Sequence, residues 1–488
     1  MRRIALASCL LAAACGSKPP MTMTMQSPPD LAMFAFPDCT DGIANEGESD
    51  VDCGGPCKKC KVMQKCNGAG DCQSGICLMG TCMASSICSD GMRDGDETDV
   101  DCGGSCAACG FGAGCTQPGD CKSSSCTAGQ CAALMPMLGD WRNVNVGKQP
   151  LSAAVGDFDG DRLPDVAALS GAEDKLSVAI SMGSLRFADP VGVKCPAATT
   201  TDVLAAGDLD GDGKADLIAI SGTMVWTLIS QGMPGMPAFA APKQIGQAGL
   251  APASPRLADL DRDGRLDLVL VDGNFDNAAN GYNVFVVINM GGGQWQSPRK
   301  MFVGADAPVT PSVVDVNGDH ILDIVVLTGD NASTALGKGD GSFAAWQHSM
   351  IGNNASMDRS AIGDLDGDGH PDVIGLATRG ALSVMAGGGN GVFAHATPIA
   401  MPNSPVDHVV FDVDIDGKAD AITLDHVGEA VTLFLGQDNR MVKTAQTRYT
   451  GPSPASLSTA DVNLDGLTDV IIACPDSDLV SIILNRSF

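Results

Sequence analysis

Seven short apolar runs, rich in β-branched residues, recur along the chain: VAALS (166–170), LIAIS (217–221), LVLVD (268–272), IVVLT (324–328), VIGLA (373–377), AITLD (421–425) and VIIAC (470–474). None alternates polar with apolar, so each reads as a strand buried on both faces. A second apolar run follows, clearest in LSVAIS, MVWTLIS, VFVVIN, LSVMA and VTLFL, and then a glycine-rich turn and usually an aromatic. Those aromatics are Phe187, Phe239, Trp295, Phe343 and Phe393, with Met441 in the sixth repeat. They are expected to start an outer strand and to fill gaps between neighbouring repeats. Each repeat then holds four strands: one before the first run, the run itself, the second run, and one at the aromatic.

An acidic nonapeptide, D-x-[DN]-x-D-x-x-x-D, precedes each of the seven runs. Successive copies begin 51, 51, 56, 49, 48 and 49 residues apart, a period typical of propeller blades. The predicted fold is all-β: a seven-bladed β-propeller with four-stranded blades. The last repeat ends after LVSIILN with only Arg486, Ser487 and Phe488 remaining, so it lacks a fourth strand. The segment MLGDWRNVNVG lies just before the first repeat, and residues 140–147 are expected to complete the last blade. Such closure leaves only short, protected strand edges.

The nonapeptide has the donors and spacing of a calcium loop. Ca2+ takes six to eight oxygens, and carboxylates at positions 1, 3 and 5 turn inward as the chain curls. A backbone carbonyl fits position 7, and a carboxylate at position 9 closes the cage. Glycine at position 4 or 6 permits the left-handed turn this curl needs. The first three donor sets are Asp157, Asp159, Asp161, Leu163, Asp165; Asp208, Asp210, Asp212, Lys214, Asp216; and Asp259, Asp261, Asp263, Arg265, Asp267. The fourth and fifth are Asp315, Asn317, Asp319, Ile321, Asp323 and Asp364, Asp366, Asp368, His370, Asp372. The last two are Asp412, Asp414, Asp416, Lys418, Asp420 and Asp461, Asn463, Asp465, Leu467, Asp469. An EF-hand would need Glu at position 12, where this chain has Ala168 or Ala219, and a helix where it has a strand sequence. Metal-free Asp-Gly turns are the alternative, but they leave close carboxylates to repel one another.

These repeats resemble the FG-GAP/VCBS repeats of the integrin α-subunit head and of many bacterial surface proteins. The likeness covers about residues 140–488, and the acidic loop is its most specific element. It implies a seven-bladed propeller with calcium in the hairpin between the first two strands of a blade. Integrin propellers usually carry the loop in only some blades, whereas here all seven have it. Asn317 and Asn463 keep an oxygen donor with less charge, so their sites are expected to bind more weakly. Fungal propeller lectins have similar repeats, which keeps sugar binding in view.

Charge fits this picture. The chain of 488 residues has 58 Asp+Glu against 30 Lys+Arg, a formal net charge of −28, yet is 44% hydrophobic. That apolar content separates it from disordered acidic chains, and the deficit of basic residues argues against nucleic-acid binding. Of the 43 acidic residues in 132–488, 26 are aspartates at loop ligand positions. No G-x-S-x-G, H-E-x-x-H or P-loop motif occurs, and the six histidines share no spacing suited to catalysis or zinc. His320 and His370 fall inside acidic loops as solvated turn residues. No enzymatic activity and no nucleotide cofactor are expected.

The first forty residues set a compartment. Met1-Arg2-Arg3 and the apolar run Ile4 to Ala14 read as an export signal ending at a lipobox-like cysteine, so residues 1–15 form a lipoprotein signal with Cys15 lipidated. An ordinary cleaved signal with free secretion is the alternative. Residues 16–38 read as a flexible linker. Two copies of one eight-cysteine framework follow, at 39–82 and 88–131, offset by 49 residues. In an exported chain these imply about four disulfides per module. Cys57-x-x-Cys60 and Cys106-x-x-Cys109 could instead hold zinc or act in redox chemistry, but no histidine lies in either module. Cys195 and Cys474, in the first and last repeats, either pair or remain buried thiols.

The expected protein is a calcium-stabilised lipoprotein with up to seven structural Ca2+, lipid-anchored at the outer membrane or cell surface (alternatively secreted or periplasmic). Its propeller presents a surface to an extracellular protein or glycan ligand. The alternatives are a lectin or carbohydrate-active enzyme, which would need Lys, Arg, Tyr or His clustered on one ring face, and a structural envelope component.

Overall fold

The computed structural model describes residues 95–488 except 171–174, 195–202, 222, 248–251, 278, 353–356, 378–381, 400–404 and 439–441, with residues 53, 65–67, 77–78, 81–82, 88 and 91–93 of the preceding segment. The expectations for Cys15, the linker, most of the first cysteine module, Cys195 and Met441 lie outside the described residues. The chain divides into two units, 1–90 and 91–488. In the first, Cys77–Leu78 pairs antiparallel with Thr81–Cys82, and Cys53 and Cys66 are each in a disulfide.

The second unit begins with cysteine-rich chain. Cys102 bonds Cys109, Cys115 bonds Cys126 and Cys121 bonds Cys131, while Cys106 is also disulfide-bonded. The Cys106-x-x-Cys109 thiols are therefore crosslinked elsewhere, which removes the zinc and redox readings of that pair. Buried cystines replace a hydrophobic core here, as a small module requires. Aspartates hold the turns: Asp99 accepts the Gly114 N–H at 2.6 Å, and Asp120 accepts the Thr116 hydroxyl at 2.7 Å and its N–H at 2.8 Å. Those bonds hold the Asp120 carboxyl well below the usual range.

Seven four-stranded antiparallel sheets follow, six of them with their strands in chain order. Blade 1 runs Pro150–Gly156, Asp165–Ser170, Lys175–Ala179 and Val191–Lys194. The first strands of blades 2 to 7 are Val203–Gly207, Pro252–Ala258, Ser312–Val314, Met357–Gly363, Asp407–Phe411 and Ser456–Ala460. The second strands, beginning at Asp216, Asp267, Asp323, Asp372, Asp420 and Asp469, contain the apolar runs. They are buried from end to end in six blades, and from Asp216 to Ile220 in blade 2. A strand inside a blade packs both faces on neighbouring blades, hence a continuous apolar run and no alternation.

Blade 7 is completed from the other end of the propeller. Leu138–Asn145 pairs antiparallel with Leu479–Asn485, placing Trp141 opposite Ile483 and Leu138 opposite Asn485. This strand starts two residues before the predicted segment, and backbone bonds between Met135 and Phe488 (2.6 and 3.2 Å) extend the seam. The aromatics require a correction. Phe187, Phe239, Phe343 and Phe393 make single-residue bridges back to a residue two beyond the end of the third strand, and Trp295 pairs with Asn289 in a small extra hairpin. The outer strand starts four residues later, at Val191, Lys243, Gln347, Thr397 and Arg299. The aromatic caps the turn because its ring is drawn into the gap beside the preceding blade, which leaves its backbone unable to run on as outer strand.

That packing role is as expected. Seven separate hydrophobic cores lie one at each blade junction. Phe239 packs at the junction of blades 1 and 2, Trp295 at 2 and 3, Phe343 at 3 and 4, Phe393 at 4 and 5, Trp141 at 6 and 7, and Phe187 at 7 and 1. The ring is therefore a closed chain of inter-blade cores with no single centre. Cys474 is a free, buried thiol, 3.7 Å from the Ser481 hydroxyl.

Candidate metal centres

Every acidic nonapeptide forms the connection between the first and second strands of its blade. Positions 4 and 6 both adopt the left-handed backbone in all seven loops, not one or the other. Most are glycine, as such φ values favour, but Arg262, Ile415 and Leu464 occupy position 4, and Arg162 and His320 position 6. This double turn brings the N–H of position 6 onto Oδ2 of the position-1 aspartate at 2.7–2.9 Å in every loop. Likewise the N–H of position 7 meets Oδ1 of position 5 at 2.8–2.9 Å throughout.

The position-9 aspartate has a second task that the sequence does not announce. Asp165, Asp216, Asp267, Asp323, Asp372, Asp420 and Asp469 are all at most 1% exposed. Each accepts two backbone N–H bonds, 2.7–3.2 Å long: one from position 2 of its own loop, one from the residue just after, or ending, the third strand. A single carboxylate thus ties the acidic loop to the glycine-rich turn. Burial pushes Asp420 up to about 8, Asp165 and Asp469 to about 7, and Asp216 and Asp267 to about 6, against the downward pull of those N–H bonds.

Position 2, unremarked in the sequence, fastens the loop to the next blade. Phe158, Leu209, Leu260, Val316, Leu365, Val413 and Val462 are at most 4% exposed, and each packs into the core shared with the following blade. Their carbonyls are also held from that blade: Ser230 Oγ donates to Phe158 O at 2.6 Å, and the amides of Asn289 and Asn485 donate to Leu209 O and Val413 O at 2.8 Å. The next blade's turn crosses the first loop, where the Gly235 N–H reaches Asp159 Oδ2 at 2.6 Å. In blade 6 the approaching chain covers the loop, with the Leu134 N–H on Asp414 O at 2.7 Å.

The donors converge. Ligand oxygens of Asp157, Asp159 and Asp165 lie within 4.8 Å of one another, as do those of Asp208, Asp210 and Asp216, and of Asp259, Asp261 and Asp263. Oδ1 of the buried Asp414 takes no hydrogen bond, and burial beside Asp416 and Asp412 raises its carboxyl to about 6. Such an arrangement of hard carboxylate oxygens fits a metal ion, which would supply the charge that the buried oxygen lacks. Asn317 and Asn463 use their amides on the position-5 carboxylates Asp319 and Asp465, at 3.0 and 2.9 Å. Lys214, Arg265 and Lys418 at position 7 pair with Asp212, Asp263 and Asp416, partly neutralising those loops. The His320 side chain is 95% exposed, as expected of a turn residue.

Residues 157–219, 208–270, 315–375 and 364–423 match the family model of the FG-GAP-like repeat, every match beginning at position 1 of an acidic loop. Those segments are similar to the FG-GAP-like repeat. No curated protein matches the chain. Among solved structures, a lectin of Agrocybe aegerita that recognises non-reducing terminal N-acetylglucosamine is 20% identical, covering 69% of this chain and 86% of its own (TM-score 0.47). BBS1N in complex with ARL6DN is 10% identical (71% and 96%, TM-score 0.48), and virginiamycin B lyase from Staphylococcus aureus is 10% identical (70% and 98%, TM-score 0.46). At these scores none argues for a ligand. The seven-bladed propeller stands on its own repeats and sheets.

Proposed function

We propose that this chain is a non-catalytic binding protein whose propeller is rigidified by up to seven structural Ca2+ ions. One observation carries the reading: in all seven blades the acidic loop is bound through its position-9 aspartate to the blade's own turn and through position 2 to the next blade's core. An ion held there braces the junctions of the ring and leaves its exposed loops free to recognise a partner. The residues at positions 1, 3, 5 and 9 would hold it, with the position-7 carbonyl. Cys15 would anchor the protein by lipid at the outer membrane or cell surface, and the disulfide modules would set the propeller off from it. The ligand would be an extracellular protein or glycan.

A lectin or carbohydrate-active enzyme is the second reading. It is favoured by one feature, the gathering of Arg256, Arg359 and His408 at the ring axis. The immobilised protein would be challenged with a glycan array and with surface extracts, in calcium and in chelator. Saturable, calcium-dependent capture without turnover is expected. Conversion of a captured sugar would overturn the non-catalytic reading, and the absence of any ligand from both sources would overturn the binding role.

A further inference from the structure

The first strands of the blades surround a cavity at the ring axis of about 670 Å3, a size suited to a small ligand. Four ionisable side chains enter it among the described residues: Arg256 from blade 3, Arg359 from blade 5, and Asp407 and His408 from blade 6. The remaining lining is serine, threonine, glycine, proline and aliphatic.

Asp407 is already engaged. Its Oδ1 accepts the His408 N–H at 2.9 Å and lies 3.3 Å from Arg359 Nη1, while Oδ2 accepts the Leu457 N–H at 2.8 Å. His408 is 5% exposed. Its Nε2 lies 3.2 Å from Ile374 O, a carbonyl that can only accept, so Nε2 carries the proton and Nδ1 is a bare acceptor. Burial pushes its pKa down, so the ring is neutral. Arg256 donates only to the carbonyl of its neighbour Pro255, at 3.1 Å, and forms no ion pair among the described residues. Arg256 is exposed as a residue, and the protein around it lowers its pKa by desolvation, Asp407 opposing and Arg359 adding, yet an arginine stays protonated at physiological pH. Two guanidiniums against one carboxylate leave an unbalanced positive charge in a chain of formal charge −28.

We infer that the axial cavity binds a small oxyanion, with Arg256 as the anchoring cation and Arg359 as a second guanidinium. The planar fork of arginine matches a carboxylate or sulfate through paired hydrogen bonds. Low-dielectric walls strengthen the attraction beyond that at an open surface.

Isothermal titration of the intact, calcium-loaded protein with sodium sulfate, sodium glucuronate and glucose tests this. One site per chain is expected for at least one anion and none for glucose, and sulfate against glucuronate separates a tetrahedral anion from a carboxylate. Arg256→Gln should weaken binding at least about tenfold. Arg256→Lys, which keeps the charge without the fork, should lose less. Arg142→Gln, on the strand that closes the ring, should change nothing. Melting temperatures of the variants in calcium report whether each has folded. No binding of either anion, or equal binding by a folded Arg256→Gln variant, overturns the inference.

Discussion

Asp420 shows how much one side chain does here. Buried at 1% exposure, it accepts the N–H groups of Val413 at 2.8 Å and Gly436 at 2.9 Å, and so joins loop to turn. Asp420→Asn keeps one acceptor but turns an N–H donor toward another donor. It should cost about 1–3 kcal/mol in denaturant unfolding, whereas Asp465→Asn, at an exposed position 5, should cost less. The raised carboxyls also set a pH dependence. In chelator, the folded form of Asp420, Asp165 and Asp469 holds protons up to about pH 7–8, while the unfolded chain releases them near 4. Their contribution to stability is therefore full below about pH 4 and lost as pH rises through the window to about 8. Metal needs these groups deprotonated, so the calcium-dependent gain should grow over the same window; urea titrations at stepped pH, with and without calcium, check both signs. Leu464 holds the left-handed backbone with φ of 62° and is 56% exposed. Leu464→Gly should raise stability by about 1 kcal/mol, because the strain is relieved and little packing is lost.

At the scale of elements, the junction between blades is the unit that matters. Phe158 is fully buried between blades 1 and 2, its ring 5.9 Å from that of Phe239. Phe158→Ala should lose about 3–5 kcal/mol at saturating calcium, and calcium affinity should fall with it, since the same backbone forms the loop. An unchanged affinity would show the loop to be independent of the core. Blade count, strand order and acidic loops were legible because the carboxylate spacing repeats seven times and a doubly buried strand leaves an unbroken apolar run. Position 2 was not, since a lone Leu or Val between aspartates carries no pattern until the next blade packs on it. Nor was the clamp at position 9, whose partners are backbone N–H groups that any residue supplies. The starts of the outer strands were not legible either, since these strands lie exposed at blade edges and carry little apolar pattern, as in Val442–Tyr449. Arg256 and Arg359 are isolated in sequence, and only ring closure brings them to one cavity.

Across the whole molecule the acidic charge and the ring are one problem. With 43 acidic and 21 basic residues in 132–488, the propeller carries −22, and seven divalent ions would offset 14 of those charges where they are densest. Without them the aspartates repel one another at each of the seven junctions. An ion that binds only the folded ring stabilises it by roughly 2.7 kcal/mol per site at a hundredfold excess over Kd. For a domain of this size, seven sites correspond to a rise in melting temperature on the order of 20 °C. Calorimetric melting of the intact protein in millimolar calcium and in excess chelator measures this directly. The account predicts one cooperative transition that falls by that order when calcium is removed and returns when it is restored; a melting temperature unchanged by chelator would contradict it.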